Sequence, residues 1–323
     1  MNRPGNKTII EKYLEHYNHS KQSKKMRESS LRFFFGVNFP LGNGNVDKNW
    51  FNYNDHIFEI DNEIIMDYFN YLKNLDTISI TTRKNKWHIF MSFLTYTTYI
   101  YGEKHGFVFA KPPRTFVSFE NADRKKTKVK SNRKIFATKE EIKKILDYFN
   151  SQNFKHYLIF RLFVETGIRK GELINAKIHD LIPEKRLINP SKGKKGERVY
   201  VYSESLARLL EIFLKERASL DIENDFLFLT RNFNKYGNRT FNQILKYALD
   251  SLGIDKKKRN ITCHTFRRTI NDFRKEMGCP LEDRKELVGH KIRDVNVSSY
   301  TNSDYKRLQK LFDTWNPYQD LNF

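Results

Sequence analysis

Residues 111–136 read KPPRTFVSFENADRKKTKVKSNRKIF, and this stretch decides how the rest of the chain divides. It opens on Pro112 and Pro113 and then carries seven basic residues, Arg124, Lys125, Lys126, Lys128, Lys130, Arg133 and Lys134. Paired prolines interrupt a helix, and a run of like charge has little to bury. The stretch reads as a linker on residues 116–137, between one unit on residues 1–115 and another on residues 138–323. Two units suit 323 residues at about 150 residues per domain. The linker is either a solvated tether or a strap that follows a phosphate backbone.

On the N-terminal side, apolar residues recur at helical spacing. Ile64, Ile65, Tyr68, Phe69 and Leu72 follow a capping Asp61, and Trp87, Phe90, Phe93 and Leu94 follow the hydroxyl-rich start Ser79–Thr82. Ser23–Phe35 ends in an aromatic run, and residues 38–54, with Gly42 and Gly44, form a turn-rich insertion. Strand-like alternation is missing, so this unit reads as a small helical domain.

On the C-terminal side, Thr138 and Glu141 form a capping box, in which each side chain satisfies a free helical N–H. Ile142, Ile145, Leu146 and Phe149 then line one face; Leu206–Leu214 and Ile244–Leu252 repeat the pattern. Between the first and second of these helices, Leu187–Ile188 and Val199–Tyr202 flank a Gly/Lys turn, a hairpin signature. The second unit is therefore mainly helical with a small sheet.

Charge points to a partner. Lys and Arg number 59 against 38 Asp and Glu, a net +21 that suits a polyanion such as nucleic acid. At 39% hydrophobic the chain can fill real cores, which excludes a disordered chain. Cys263 and Cys279 make neither a disulfide framework nor a C-x-x-C pair, which fits a reducing, intracellular (cytoplasmic) setting. Apolar runs fall short of the roughly 18 residues of a membrane span, so no membrane partner is expected. A zinc site from Cys263, His264, Cys279 and His290 matches no compact metal spacing, so no metal is expected.

Three short segments could carry chemistry. In TGIRKGE (166–172), Gly167 allows a tight entry into a helix, with Arg169 in its first turn and Glu172 on the same face. A guanidinium held by a carboxylate can fork onto two phosphate oxygens. In HTFRRT (264–269), Phe266, Ile270, Phe273 and Met277 would face the core, leaving His264, Arg267 and Asn271 on an exposed stripe. LVGH (287–290) is followed ten residues later by Tyr300 in SSYTN (298–302).

With SKGKKGERVYV (191–201), these segments in this order resemble the tyrosine recombinase (phage integrase) family, including its Xer-like members. The resemblance covers residues 138–310 well and the N-terminal part loosely. It implies a mainly α, two-domain protein: a helical, SAM-like core-binding domain, and a mixed catalytic domain, mostly helical with a small antiparallel sheet. It implies DNA cleavage and rejoining through a 3′-phosphotyrosyl bond at Tyr300, with Arg169 and Arg267 clamping the phosphate. Lys192 matches the hairpin lysine that protonates the leaving 5′ oxygen, with Lys194 and Lys195 as rivals because the turn is one residue longer than the common form. His264 matches the proton-transfer histidine, His290 the phosphate-binding histidine, and Glu172 the supporting acid.

The His290-to-Tyr300 spacing is also one residue longer than the common form, which leaves Tyr305, and more remotely Tyr318, as alternative nucleophiles. The implied partner is double-stranded DNA carrying a specific site, bound by a homotetramer. The tail from about residue 306 carries Leu308, Leu311, Phe312 and Trp315, which either pack on their own domain or dock on a neighbouring protomer. No cofactor is implied: the chemistry needs no metal or ATP, and no phosphate-binding G-x-x-x-x-G-K-[ST] loop occurs. Two other readings share these features, a type IB topoisomerase-like relaxase and a DNA-binding relative that has lost catalysis.

Overall fold

The computed structural model describes residues 3–17, 20–42, 50–119, 137–190, 198–220, 222–254, 261–289 and 305–321. Lys192, Lys194, Lys195, His290, Tyr300 and the seven linker cations lie outside the described residues. Chain contacts divide the molecule into two compact units, Met1–Arg133 and Lys134–Phe323.

The N-terminal unit contains four α-helices among the described residues: α1 (Asn6–His16), α2 (Lys21–Phe35), α3 (Asn62–Asn74) and α4 (Ile80–His105). Asp61 accepts the Ile64 N–H and Ser79 the Thr82 N–H, so both expected caps form; Ser20 caps α2 in the same way. Helix α4, about 39 Å long at 1.5 Å per residue, is buried on several sides, by Trp87, Ile89, Phe90, Phe93 and Tyr96 among others. Aromatic packing supplies much of the core. Phe34 meets Phe90 at 4.4 Å, Tyr68 at 4.9 Å and Tyr53 at 5.0 Å between ring centroids. The end of the turn-rich insertion folds back on α2, with the Phe51 and Tyr53 N–H groups donating to the carbonyls of Phe33 and Phe34.

In the C-terminal unit, α5 (Lys139–Gln152) starts with the Thr138/Glu141 capping box, as the sequence predicts. It packs on α6 (Phe154–Thr166), where Phe149 stacks on Phe160 at 4.2 Å and 5°. Every residue of α6 from Tyr157 to Thr166 is buried, which makes it the central helix of this unit. There follow α7 (Lys170–Asn175), α8 (Glu204–Ala218), α9 (Thr240–Ser251), α10 (Cys263–Glu276), α11 (Leu281–Leu287) and α12 (Tyr305–Thr314).

A small antiparallel sheet joins β1 (Leu181–Ile182), β2 (Leu187–Ile188) and β3 (Tyr200–Val201) in that order. The expected hairpin is the β2–β3 pair, in register Leu187↔Val201 and Ile188↔Tyr200. Because side chains alternate along a strand, Ile188 and Tyr200 enter the main core, while Leu187 and Val201 form a second cluster with Leu308 and Phe312 of α12. The tail helix thus packs on its own domain. Arg186 pairs with Asp313 and Arg307 with Glu286 on either side of it.

Three expectations from periodicity need correction. Gly167 does not open a helix: it closes α6 at φ +63°, and Arg169 is the residue that precedes α7 rather than one inside its first turn. Arg267 does not lie on an exposed stripe but is buried at 6% exposure, while His264 on the same helix is exposed. Met277 lies just past the end of α10 and is exposed rather than in the core.

Candidate active site

The site is built where the end of α6, the start of α7, the start of α10 and strand β3 converge. Thr166 Oγ1 accepts the Ile168 N–H at 3.0 Å and shapes the turn. Gly167 adopts φ +63°, and a Cβ there would lie 3.2 Å from Ile270 Cγ2 and 3.3 Å from the Arg267 Cα. Glycine therefore serves two ends, the left-handed conformation and the close approach of α10. Its carbonyl oxygen accepts Arg267 Nη1 at 2.7 Å.

Glu172 is the organising anion. It is buried at 8% exposure and takes four donors: the Arg169 N–H and Arg169 Nη1, each at 3.2 Å, plus Arg198 Nη1 and the Tyr200 hydroxyl. An Arg–Glu pair at this spacing is commonly a surface pair worth little. Here the shared carboxylate is inside the protein, so its bonds fix geometry. Arg198 and Tyr200 are site residues that sequence reading did not single out. The signal available was their place on the hairpin strand, in the segment GERVYV (196–201).

Arg267 is anchored by the Gly167 carbonyl and by an interaction with the Tyr200 hydroxyl. Its Nη2 is buried and has no hydrogen-bond partner among the described residues. A buried donor left unmade is costly. Arg267 and Arg169 are close enough for like-charge repulsion, which with burial as the larger cause lowers the Arg267 pKa. Three guanidiniums, of Arg169, Arg198 and Arg267, thus share the field of one carboxylate, Glu172. The imbalance favours an incoming anion.

His264 lies beside them. It lines a cavity of about 280 Å³ with Ile168, Arg169, Lys170, Asn242, Thr262 and Cys263. Partial burial first, then the charges of Arg268, Arg267 and Arg169, lower its pKa. The imidazole is therefore held neutral and able to accept a proton. Burial pushes the adjacent Cys263 thiol up to about 12, so it remains a protonated packing group.

Gly289, the last described residue of the LVGH segment, lies against strand β3. It adopts φ +62°, and a Cβ there would stand 3.0–3.1 Å from the Tyr200 ring. The structure thus gathers Arg169, Glu172, His264 and Arg267, with Gly289 beside them. Of the alternative nucleophiles, Tyr318 is buried at 3% exposure, and burial, its largest influence, raises its pKa. Tyr305 is half-buried at the start of α12, with Lys185 over its ring at 5.5 Å. Among the described residues no group of three His, Cys, Asp or Glu could hold a metal ion, and no helix is long and apolar enough to cross a membrane.

Comparison with known proteins agrees with this architecture. Residues 136–307 match the model of the phage integrase family. The tyrosine recombinase XerA of Pyrococcus horikoshii is 29% identical over 213 residues, covering 62% of this chain and 70% of the relative. The tyrosine recombinase XerA of Pyrococcus furiosus is 27% identical over 188 residues, covering 57% of this chain and 63%, just under two thirds, of the relative. Among solved structures, the XerH site-specific recombinase bound to its difH substrate in a pre-cleavage complex aligns with a TM-score of 0.60 at 18% identity, covering 95% of this chain and 84% of that one. That last likeness is one of fold: mostly helical, with a small antiparallel sheet.

Proposed function

The chain belongs to the phage integrase family, and from that premise we propose that it is a site-specific DNA recombinase acting through a 3′-phosphotyrosyl bond at Tyr300. The observation that carries this reading is the buried, half-satisfied Arg267, whose Nη2 awaits an acceptor beside Arg169 and the Glu172 carboxylate. A scissile phosphodiester supplies that acceptor. Arg169 and Arg267 bind its non-bridging oxygens and stabilise the charge that grows on them in the transition state.

The reaction balances without an outside energy source. The Tyr300 oxygen attacks phosphorus and His264 takes up the phenolic proton, while the bond to the 5′ oxygen breaks and Lys192 protonates that oxygen. Lys194 and Lys195 are the other candidates for this acid, and His290 adds a hydrogen bond to the phosphate. The phosphotyrosyl bond keeps the energy for rejoining, so neither ATP nor a metal is needed. The linker cations Arg124, Lys125, Lys126, Lys128, Lys130, Arg133 and Lys134 follow the DNA backbone between domains 1–115 and 138–323. Four protomers assemble on two sites in the cell interior. There the tail helix, which packs on its own domain in the single chain, passes to a neighbour. Deleting residues 306–323 then abolishes assembly on DNA; unchanged assembly and recombination would rule the exchange out.

The experiment is covalent trapping in EDTA on a pool of nicked duplexes with randomised sequence. The wild type forms a protein–DNA adduct and Tyr300→Phe does not. DNA binding without any adduct favours the catalytically inactive relative, and relaxation of supercoils with no site preference favours the topoisomerase.

A further inference from the structure

The roles above give no part in cleavage to the phenol of Tyr200, although it is buried and donates to Glu172. We propose that Tyr200 is a positioning residue for strand cleavage, holding Glu172, and through it Arg169, in register with Gly289. The proposal rests on the recombinase reading given above.

Tyr200 lies on β3 at 1% exposure, and Lys192 falls in the sequence between β2 and β3. Its hydroxyl donates to Glu172 Oε2, the same oxygen that accepts the Arg169 N–H at 3.2 Å. Its ring underlies Gly289, where an added Cβ would come 3.0 Å from Cζ and 3.1 Å from the hydroxyl oxygen. One side chain therefore belongs to the hairpin, bonds the acid of TGIRKGE and sets the space open to the glycine of LVGH.

The choice of a phenol has a physical reason. Glu172 already faces the guanidiniums of Arg169 and Arg198. A further cation would compete with Arg169 for the carboxylate, whereas a neutral hydroxyl orients it without drawing it away. Burial first, and the Glu172 charge second, push this phenol up to about 12, so it stays a donor through the working pH range. Its committed proton and its burial also exclude Tyr200 as a nucleophile.

The test compares wild type, Tyr200→Phe, Glu172→Ala and the double variant on a nicked duplex that the wild type cleaves. Three quantities are read: the single-turnover cleavage rate at saturating protein, the Kd for the duplex, and Tm. Tyr200→Phe keeps the ring over Gly289 and removes only the donor. Cleavage then slows on the order of tenfold, the equivalent of one hydrogen bond, with Kd unchanged. In the Glu172→Ala background the same change costs nothing further, because the two act as one unit. A merely structural tyrosine would lower Tm and give additive losses.

Gly289→Ala is the second arm, should Tyr200→Phe fold poorly. Its Cβ presses on Cζ and on the hydroxyl oxygen, so it shifts the phenol off Glu172 without removing it, and cleavage slows again and less than additively with Glu172→Ala. Wild-type cleavage by Tyr200→Phe, or full additivity with Glu172→Ala, overturns the proposal while leaving the recombinase reading intact. If the wild type itself cleaves no duplex of the pool, the recombinase reading fails and the proposal with it.

Discussion

Arg267 Nη1 donates to the carbonyl oxygen of Gly167 at 2.7 Å, joining two residues 100 positions apart in sequence. This bond fixes Nη1 to the backbone, while Nη2 is buried without a hydrogen-bond partner among the described residues. It also explains the glycine, since the carbonyl can be presented to α10 only where the chain turns at φ +63° with no side chain in the way.

Gly167→Ala therefore destabilises the protein by about 1–2 kcal/mol from the left-handed backbone alone. The contact with the Arg267 Cα at 3.3 Å adds to that cost. Urea unfolding measures the loss, and the cleavage rate falls further than stability explains because Arg267 moves with the turn. An unchanged midpoint would contradict this geometry.

Removing the central anion has a larger effect. Glu172→Ala leaves the nearly buried Arg198 and the partly exposed Arg169 without their carboxylate. Breaking a buried ion pair from one side costs about 3–5 kcal/mol, and the exposure of Arg169 argues for the lower end. Glu172→Gln keeps one acceptor oxygen, which can serve the Arg169 N–H and the Tyr200 hydroxyl that share Oε2, and loses less than Glu172→Ala. Chemical denaturation ranks the three proteins, and equal stability of Ala and wild type would count against the shared carboxylate.

The pH profile follows from His264. Its pKa lies below the ordinary histidine value of 6.5, because of partial burial and the nearby arginines. The acid limb of cleavage is therefore centred below 6.5, where the imidazole protonates. The associated stability carries the same sign: it is present above the unfolded-state pKa and is lost as pH falls through the folded one. His264→Gln removes the acid limb from the rate profile. A limb centred above 6.5 would show that the arginines do not act on it.

Behind the site, Arg161 Nε donates to Glu165 Oε1 at 2.9 Å, with the two side chains 1% and 2% exposed. Glu165 also accepts the Ser203 N–H at 2.8 Å, which ties α6 to the cap of α8. Glu165→Ala loses about 3–5 kcal/mol by stranding the guanidinium. The double variant Arg161→Met/Glu165→Leu loses less than Glu165→Ala alone, because no charge is left buried. Thermal unfolding of the set distinguishes the pair from two independent contacts.

Much of this was legible in the sequence. The caps at Asp61, Ser79 and Thr138 rest on local chemistry and form as expected. The hairpin of Leu187–Ile188 with Tyr200–Val201 also forms, because alternation and turn residues agreed. Helix α6 was missed because a helix buried on every side carries no polar stripe to give it a period. β1, only two residues long, follows from pairing with β2 rather than from its own pattern. Arg267 looked exposed for the reverse reason: periodicity sorts residues by polarity, and a buried arginine breaks that rule. The roles of Arg198 and Tyr200 depend on contacts to Glu172 across 26 and 28 residues, which no local pattern encodes.

The most direct measurement of the central claim is the site of covalent attachment. Wild-type protein trapped on a nicked duplex in EDTA is digested with nuclease and trypsin, and the nucleotide-bearing peptide is sequenced by mass spectrometry. Cleavage after Arg293 and Lys306 gives a single peptide, DVNVSSYTNSDYK, that holds both Tyr300 and Tyr305. The account predicts the nucleotide on Tyr300, with the adduct lost in Tyr300→Phe; a nucleotide on Tyr305, or DNA bound with no covalent adduct at all, would contradict it.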